Sequence, residues 1–295
     1  MNMRTRKKIK ISDIFLHLVF LVLAVISIYP ILLIGFNALA PEEHIKEIGY
    51  VLWPTEITLN AFRYLMNNYM QLLQSLFASI VYAVGGALFA AIVCAMLGYT
   101  LTRKEFIFRK PITVLVIITM FFVPGLIPEY MVNTTIYHLE DSWLIYILPQ
   151  AVNVFEVIVY RTFFQGIPES LIESAQIDGA NHMQTLSKII MPLSMPILVT
   201  QFFLNMVGRW KDYTISLYYM TDQSKSTLEH YVQQIMMNAN TLAENNAMIG
   251  VDIDTIPLET MRFAVVFFTL IPMLCIFPVL QKHFEKGAIV GAVKG

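Results

Sequence analysis

Six apolar stretches alternate with polar ones along this 295-residue chain, at roughly 14–36, 75–101, 111–129, 143–163, 193–220 and 261–280. Each is close to the about 20 residues that a helix needs to cross a hydrocarbon core of about 30 Å. The pattern predicts an all-α, polytopic membrane protein with six transmembrane helices. The run from Ile14 to Phe36 exceeds the about 7–15 apolar residues of a secretory signal, so it reads as a retained anchor although Ala38-Leu39-Ala40 follows it. Two segments of some size lie between spans, 37–74 and 221–260. Neither is large enough to fold as a separate unit, so residues 1–295 read as a single transmembrane domain.

A polar, helix-forming segment at 164–192 separates the fourth stretch from the fifth. Gly166-Ile167-Pro168-Glu169 is a helix-start signal, with proline at the first position and an acidic residue in the first turn. From there Leu171, Ile172 and Ala175 share one face, and Glu169, Glu173 and Gln176 share another. Gly179 can adopt the left-handed backbone that ends a helix. A second short helix over about 181–190 leads to Pro192 and Pro196, where the next span begins. The expected result is a helix–turn–helix knob whose small residues, Ser174, Ala175, Gly179 and Ala180, admit the close approach of a partner. A plain cytoplasmic loop carrying an amphipathic surface helix has the same composition, so periodicity alone leaves both readings open.

Composition supports the membrane reading: 57% of residues are hydrophobic and 14% charged, against roughly a quarter charged in soluble domains. A net charge of −1 argues against a nucleic-acid partner. Fourteen of the twenty lysines and arginines fall on one side if the N-terminus is cytoplasmic. They include Arg4 to Lys10, Arg103 to Lys110, and Lys282 to Lys294. The basic bias therefore places both termini and the 164–192 loop in the cytoplasm. Cys94 and Cys275 lie far apart in apolar stretches and read as small apolar residues. The six histidines are scattered, so no metal site is expected. No Gly-x-x-x-x-Gly-Lys-Ser/Thr phosphate loop occurs, so the chain is not expected to hydrolyse ATP.

Charged residues inside spans are costly and often functional. Glu156 lies deep in the fourth stretch, and Gln201, Asn205 and Arg209 share one helix face of the fifth beside Trp210. Hydrogen-bonding groups next to an aromatic ring suit a sugar in transit. The same residues equally suit pairing with one another or with a partner subunit.

The 164–192 segment resembles the coupling loop of ABC importer permeases. Glu173-Ser174-Ala175 is followed by three residues, Gly179, nine residues, and Ile189-Ile190-Met191-Pro192. Asp178-Gly179-Ala180 and the closing Phe284-Glu285-Lys286-Gly287 and Gly291-Ala292-Val293-Lys294-Gly295 are similar to the maltose-type, carbohydrate-uptake branch. The resemblance covers nearly the whole chain. It implies a type I importer transmembrane domain in a bacterial cytoplasmic membrane, carrying a sugar or oligosaccharide. It also implies a second homologous permease, two ATPase subunits that hold ATP and magnesium, and an extracytoplasmic solute-binding protein. Glu173, Ala175, Asp178, Gly179 and Pro192 would be docking or hinge positions, with Lys294 as a further contact. An importer of another solute, such as a peptide or polyamine, and a non-transporting membrane scaffold are the competing readings.

Overall fold

A computed structural model describes residues 11–292 apart from 68, 123 and 238–256. Every regular element among them is helical. The chain divides into two compact units, one of 1–68 with 235–271 and the other of 69–234 with 272–295.

In the first unit, α1 (Ile11–Ala38) is followed by α2 (Glu42–Ile48) and α3 (Asn60–Asn67). The apolar run of α1 leaves its side chains outside the chain's own core, as a lipid-facing helix requires. Its end is pinned by Asn37, which is fully buried. The Asn37 side chain donates to the Val51 carbonyl (3.0 Å) and accepts the Val51 N–H (2.9 Å), as a paired backbone strand would. The Glu42 carboxylate accepts the N–H groups of Glu259 (3.0 Å) and Thr260 (2.9 Å). These donors lie in the first turn of the last helix, Leu258–Ala292, where a negative charge is stabilising.

The second unit is built around α4 (Tyr69–Thr100), which carries a wide turn at Val81–Gly85. Its buried face is a run of small residues: Ala87, Ala90, Ala91, Cys94, Ala95 and Gly98. Small residues let helices in lipid approach closely enough for dispersion contacts to hold them. That face takes Val157, Tyr160 and Phe164 of a helix at Val154–Gln165.

Among the described residues, three helices are long and apolar enough to cross a membrane: Ile14–Ala38, Tyr69–Thr100 and Leu258–Ile276. A bent pair, His182–Leu193 with Met195–Trp210, makes a fourth if counted as one span. The stretches expected at 111–129, 143–163 and 193–220 are interrupted instead of continuous. The first is a helix at Arg109–Thr119, then a break, then Leu126–Met131 running on as a wide turn to Ile136. Pro124 and Pro128 supply no N–H, and Gly125 sits at φ 80°, a conformation that glycine adopts without strain. The second begins as a short turn at Trp143–Tyr146 and is irregular from 147 to 153. Regular helix starts only where the Asn153 side chain caps Val154–Gln165 by accepting the Glu156 N–H (3.2 Å). The third stops at Trp210, and the Asp212 carboxylate then accepts the Thr214 N–H (2.8 Å) to start Thr214–Tyr219.

Beyond Tyr219 the chain forms a helix over 228–237 whose start is locked to the rest of the unit. Thr227 donates its N–H to Ser216 Oγ (3.0 Å) and Leu228 donates to Ser79 Oγ (2.7 Å). His230 lies buried beside them, its Nδ1 3.0 Å from Ser216 Oγ and its Nε2 3.3 Å from Gln234. Burial holds the His230 pKa below its ordinary value. As pH falls through about 6.5, the unfolded chain takes up a proton that the folded chain resists, so local stability falls. Glu229, whose pKa burial raises, opposes this at lower pH, because there the folded chain binds a proton first. The hydrogen-exchange protection of 216–234, taken relative to the intrinsic rate at each pH, should therefore fall between pH 7 and 5.5, and a His230→Gln variant should lose most of that dependence. Equal pH dependence in both proteins would assign the effect elsewhere.

Candidate functional site

The segment between Val154–Gln165 and Met195–Trp210 folds as an elbow of two short helices. The first, Glu169–Ile177, starts at Pro168 and ends at Asp178. Gly179 follows at φ 81°. The Gly179 N–H donates to the Gln176 carbonyl (3.0 Å) and the Ala180 N–H to the Ala175 carbonyl (2.9 Å). This pair of bonds is the Schellman closure that a left-handed glycine permits, and it satisfies carbonyls that the helix end would leave open. The chain reverses at once into His182–Leu193. Asn181 and Gln184 form a reciprocal capping box at its start, each side chain accepting the other residue's backbone N–H at 2.9 Å. The Asn181-x-x-Gln184 spacing carries that signal in the sequence, though the elbow's periodicity alone does not reveal it.

The elbow is tied to the helices behind it by a shared apolar core. Ile172, Leu186 and Ile190 pack with Tyr99, Leu101 and Phe164. Leu171, expected to share the inner face, is exposed instead, because the helix is so short that only Ile172 and Ala175 reach the core. Ala175 is thus buried within this chain. Glu173, Asp178, Gly179 and Pro192 are all exposed. Ile177 joins them at the tip, 85% exposed. Lys294 lies outside the described residues. At the base of the elbow, Lys104 Nζ stands 2.9 Å from the Glu169 carboxylate and holds its pKa below the ordinary carboxylate range. Both groups are exposed, so the pair adds little stability. It does show that the 102–110 turn and the elbow share one side of the molecule.

The second helix of the elbow meets Met195–Trp210 at 84°. Ser194 lies at the corner, between Pro192 and Pro196. If Met195–Trp210 crosses a membrane along its normal, His182–Leu193 lies nearly parallel to the membrane surface. That is the geometry of a lever.

A second polar assembly runs through the interior. Tyr160 donates its hydroxyl to Glu156 Oε1 (2.7 Å), and Asn205 donates its amide to Glu156 Oε2 (3.1 Å). Arg209 Nε donates to Asn205 Oδ1 (2.7 Å). The two terminal nitrogens of Arg209 donate to the carbonyls of Tyr146 (3.0 Å) and Gln150 (2.7 Å). Those carbonyls belong to the irregular segment at 147–153 and its approach, which a single helix cannot satisfy by itself. Tyr82 closes the chain: its ring lies under Arg209, with 5.5 Å from guanidinium to centroid, and its hydroxyl donates to Asp212 (2.6 Å). Gly86 makes room, since a Cβ there would stand 2.5 Å from the guanidinium and 2.7 Å from the Tyr146 oxygen.

Glu156 and Arg209 are 2% and 3% exposed. Trp210 and Gln201 are buried as well, and Asn205 spends its side chain on the pair. Of the candidates for a solute-lining face, Glu156, Asn205 and Arg209 are hydrogen-bonded to one another in an internal brace, and Gln201 and Trp210 lie buried on the same helix as the last two. Burial of these polar groups is tolerated because each guanidinium nitrogen of Arg209 and each carboxyl oxygen of Glu156 has a hydrogen-bond partner. Spacing by four placed Asn205 and Arg209 together correctly. The carbonyls of Tyr146 and Gln150 left no trace in the residue types, although Pro149 marks the irregular backbone that exposes them.

Residues 111–290 match the family model described as "Binding-protein-dependent transport system inner membrane component". The chain is 32% identical over 291 residues to the polygalacturonan/rhamnogalacturonan transport system permease protein YtcP of Bacillus subtilis (strain 168), covering 98% of this chain and 100% of that one. It is 25% identical to the arabinooligosaccharides transport system permease protein AraQ of the same organism, covering 99% and 100%. A crystal structure of a bacterial ABC transporter involved in the import of the acidic polysaccharide alginate contains a chain that superposes with a TM-score of 0.80 at 26% identity, covering 95% of this chain and 100% of that one. Helical architecture and full-length likeness together define the transmembrane domain of a type I ABC importer, a multi-pass component of the cytoplasmic membrane. The chain belongs to the family of binding-protein-dependent transport system inner membrane components.

Proposed function

We propose that this chain is one permease subunit of an ATP-driven importer for a sugar or oligosaccharide, driven through the elbow at 168–192. The observation that carries the reading is the elbow itself: a rigidly based, glycine-closed turn whose tip residues face away from the chain. The names of the relatives, which concern polygalacturonan and rhamnogalacturonan, arabinooligosaccharides and the acidic polysaccharide alginate, support the cargo class. In this reading residues 1–295 act as one transmembrane domain of six membrane crossings, some of them broken helices, with both termini in the cytoplasm. A second homologous permease completes the passage, and an extracytoplasmic binding protein delivers the solute. Two ATPase subunits hold ATP and magnesium, and this chain holds no cofactor. Closure of the ATPase pair drives both elbows together and shifts the permeases between inward- and outward-facing states. Such a shift requires contacts that differ between the two states. Affinity purification of this chain from native membranes should bring down an ATPase subunit whose hydrolysis rises when the binding protein and its sugar are added. Recovery of the intact permease pair without any ATPase sinks this reading and favours a scaffold.

A further inference from the structure

We infer that a cavity between the end of α4 and the start of His182–Leu193 holds one anionic phospholipid, its phosphate on Arg103 and an acyl chain on Met96, Phe106 and Met183. Such a site needs only that α4 crosses a membrane, and it stands apart from whether the elbow meets an ATPase.

The cavity has a volume of about 340 Å³ and lies wholly within the second unit. Its lining includes buried Tyr99, whose hydroxyl is 3.5 Å from His182 Nδ1. The Arg103 guanidinium lies over the same ring, 4.8 Å from the centroid. Met96, Phe106, Met183 and Leu186 supply an apolar wall. The result is a greasy slot with a fixed cation beside it.

Arg103 is the anchor. Its Nε donates to Thr102 Oγ1 (3.0 Å), and its two terminal nitrogens find no acceptor among the described residues. Arg209 shows the contrast, since both of its terminal nitrogens hold backbone carbonyls. A guanidinium stacked on a ring, with a fork of donors to spare, matches a phosphate. Glu105 also lines the cavity and repels an anion. Arg103, Arg109 and Lys110 outweigh it on the same turn, even with Lys104 set against Glu169. Basic clusters where a span leaves the membrane attract anionic headgroups.

The apolar part of the ligand has a track to follow. Leu88, Ile92 and Met96 recur every fourth residue along α4 and are all exposed. That stripe runs into the cavity at Met96. The cavity admits the head and the upper part of one chain, and the stripe carries the rest. Past the cavity, Ile107 (87% exposed) and exposed Phe108 stand between Lys104 and Arg109. Apolar side chains flanked by basic ones are the pattern of a segment seated at a membrane surface. A lipid surface covers stripe, cavity and turn together, whereas a soluble partner would cover only the turn.

Photocrosslinking tests this in vesicles holding the full-length chain and the subunits that co-purify with it. The probe is phosphatidylglycerol with a diazirine on one acyl chain. Adducts are measured on peptides covering 96–106 and 183–186, with α1 as the reference for bulk lipid. The cavity peptides should be labelled, and excess plain phosphatidylglycerol should compete where phosphatidylcholine does not. R103Q should cut cavity labelling at least about tenfold relative to α1, because a charge-assisted phosphate contact is lost. M183E alters an exposed position on the lining and sets a carboxylate in the path of the chain. It should have the same effect, which guards against misfolding of the Arg103 variant. Unchanged adducts in both variants, or equal competition by phosphatidylcholine, overturn the inference. Adducts on α1 alone overturn it too and give the cavity to a partner protein. Competition by soluble glycerol phosphate as strong as by the lipid overturns it in favour of a small anion. An ATPase that co-purifies while the cavity stays unlabelled leaves the importer reading intact and removes this inference alone.

Discussion

Gly179→Glu should leave the permease folded and abolish the stimulation of ATP hydrolysis by the loaded binding protein. The expectation comes from separating two costs at one position. A side chain at φ 81° incurs left-handed strain of about 1–2 kcal/mol. Nothing lies within 4 Å of a Cβ placed there, so no clash adds to that strain in the chain itself. The protein should tolerate such a loss, and the 172–190 packing behind the elbow is untouched. What changes is the outward surface, where a carboxylate would replace a hydrogen atom at the tip that the proposed coupling seats against a partner. Loss of about 1.4 kcal/mol of docking is tenfold in affinity, and burying an unpaired charge exceeds that. Liposomes with the full importer should show uptake and stimulated hydrolysis falling by at least about tenfold. Gly179→Ala carries the backbone strain without the charge and should retain most of both. Full stimulation in the Glu variant would remove the elbow from the coupling pathway.

Arg209→Ala should prevent accumulation of a folded permease. The substitution leaves the carbonyls of Tyr146 and Gln150 without donors and returns Glu156 to a pocket lacking its countercharge. Each buried acceptor left without its donor costs about 1–3 kcal/mol, and several together are a large share of the 5–15 kcal/mol that holds an ordinary domain together. Gly86→Ala should injure the same assembly from the opposite side, since its methyl group meets the guanidinium and a carbonyl oxygen. Both should show as loss of monodisperse material in detergent and a lowered midpoint of thermal unfolding. A solute-lining Arg209 would behave differently, giving intact complexes with impaired uptake. Wild-type yield and unfolding midpoint in Arg209→Ala would restore that role.

Much of this architecture is legible in residue order, and the exceptions share a cause. Pro168, Gly179 and Pro192 fix the elbow because their backbone constraints act locally, so the turn needs no knowledge of distant residues. The long apolar helices at 14–36 and 75–101 read off equally well, and the structure extends each by a few residues. The broken crossings do not. Met120 to Gly125 and 147–153 carry as many apolar residues as a continuous helix would, so a hydropathy count runs through them without a mark. Only the prolines hint at the breaks, and proline also occurs inside the unbroken helices, at Pro30 and Pro272. The Arg209 brace was half visible: spacing by four joins it to Asn205, whereas its carbonyl partners are backbone atoms about 60 residues away. Chemistry that runs through main-chain oxygens has no letter in the sequence.

Ile177 carries a consequence for the life of the chain before assembly. A branched aliphatic side chain exposed at the crest of the elbow, which the proposed orientation turns toward the cytosol, is a debt to solvent that only a neighbour can settle. Newly made copies waiting for their motor subunits would display it as a degradation signal to membrane proteases and holdases. Turnover of this subunit should therefore rise when the motor is scarce, and a polar residue at that crest would lengthen the orphan's survival while weakening the machine it was meant to join.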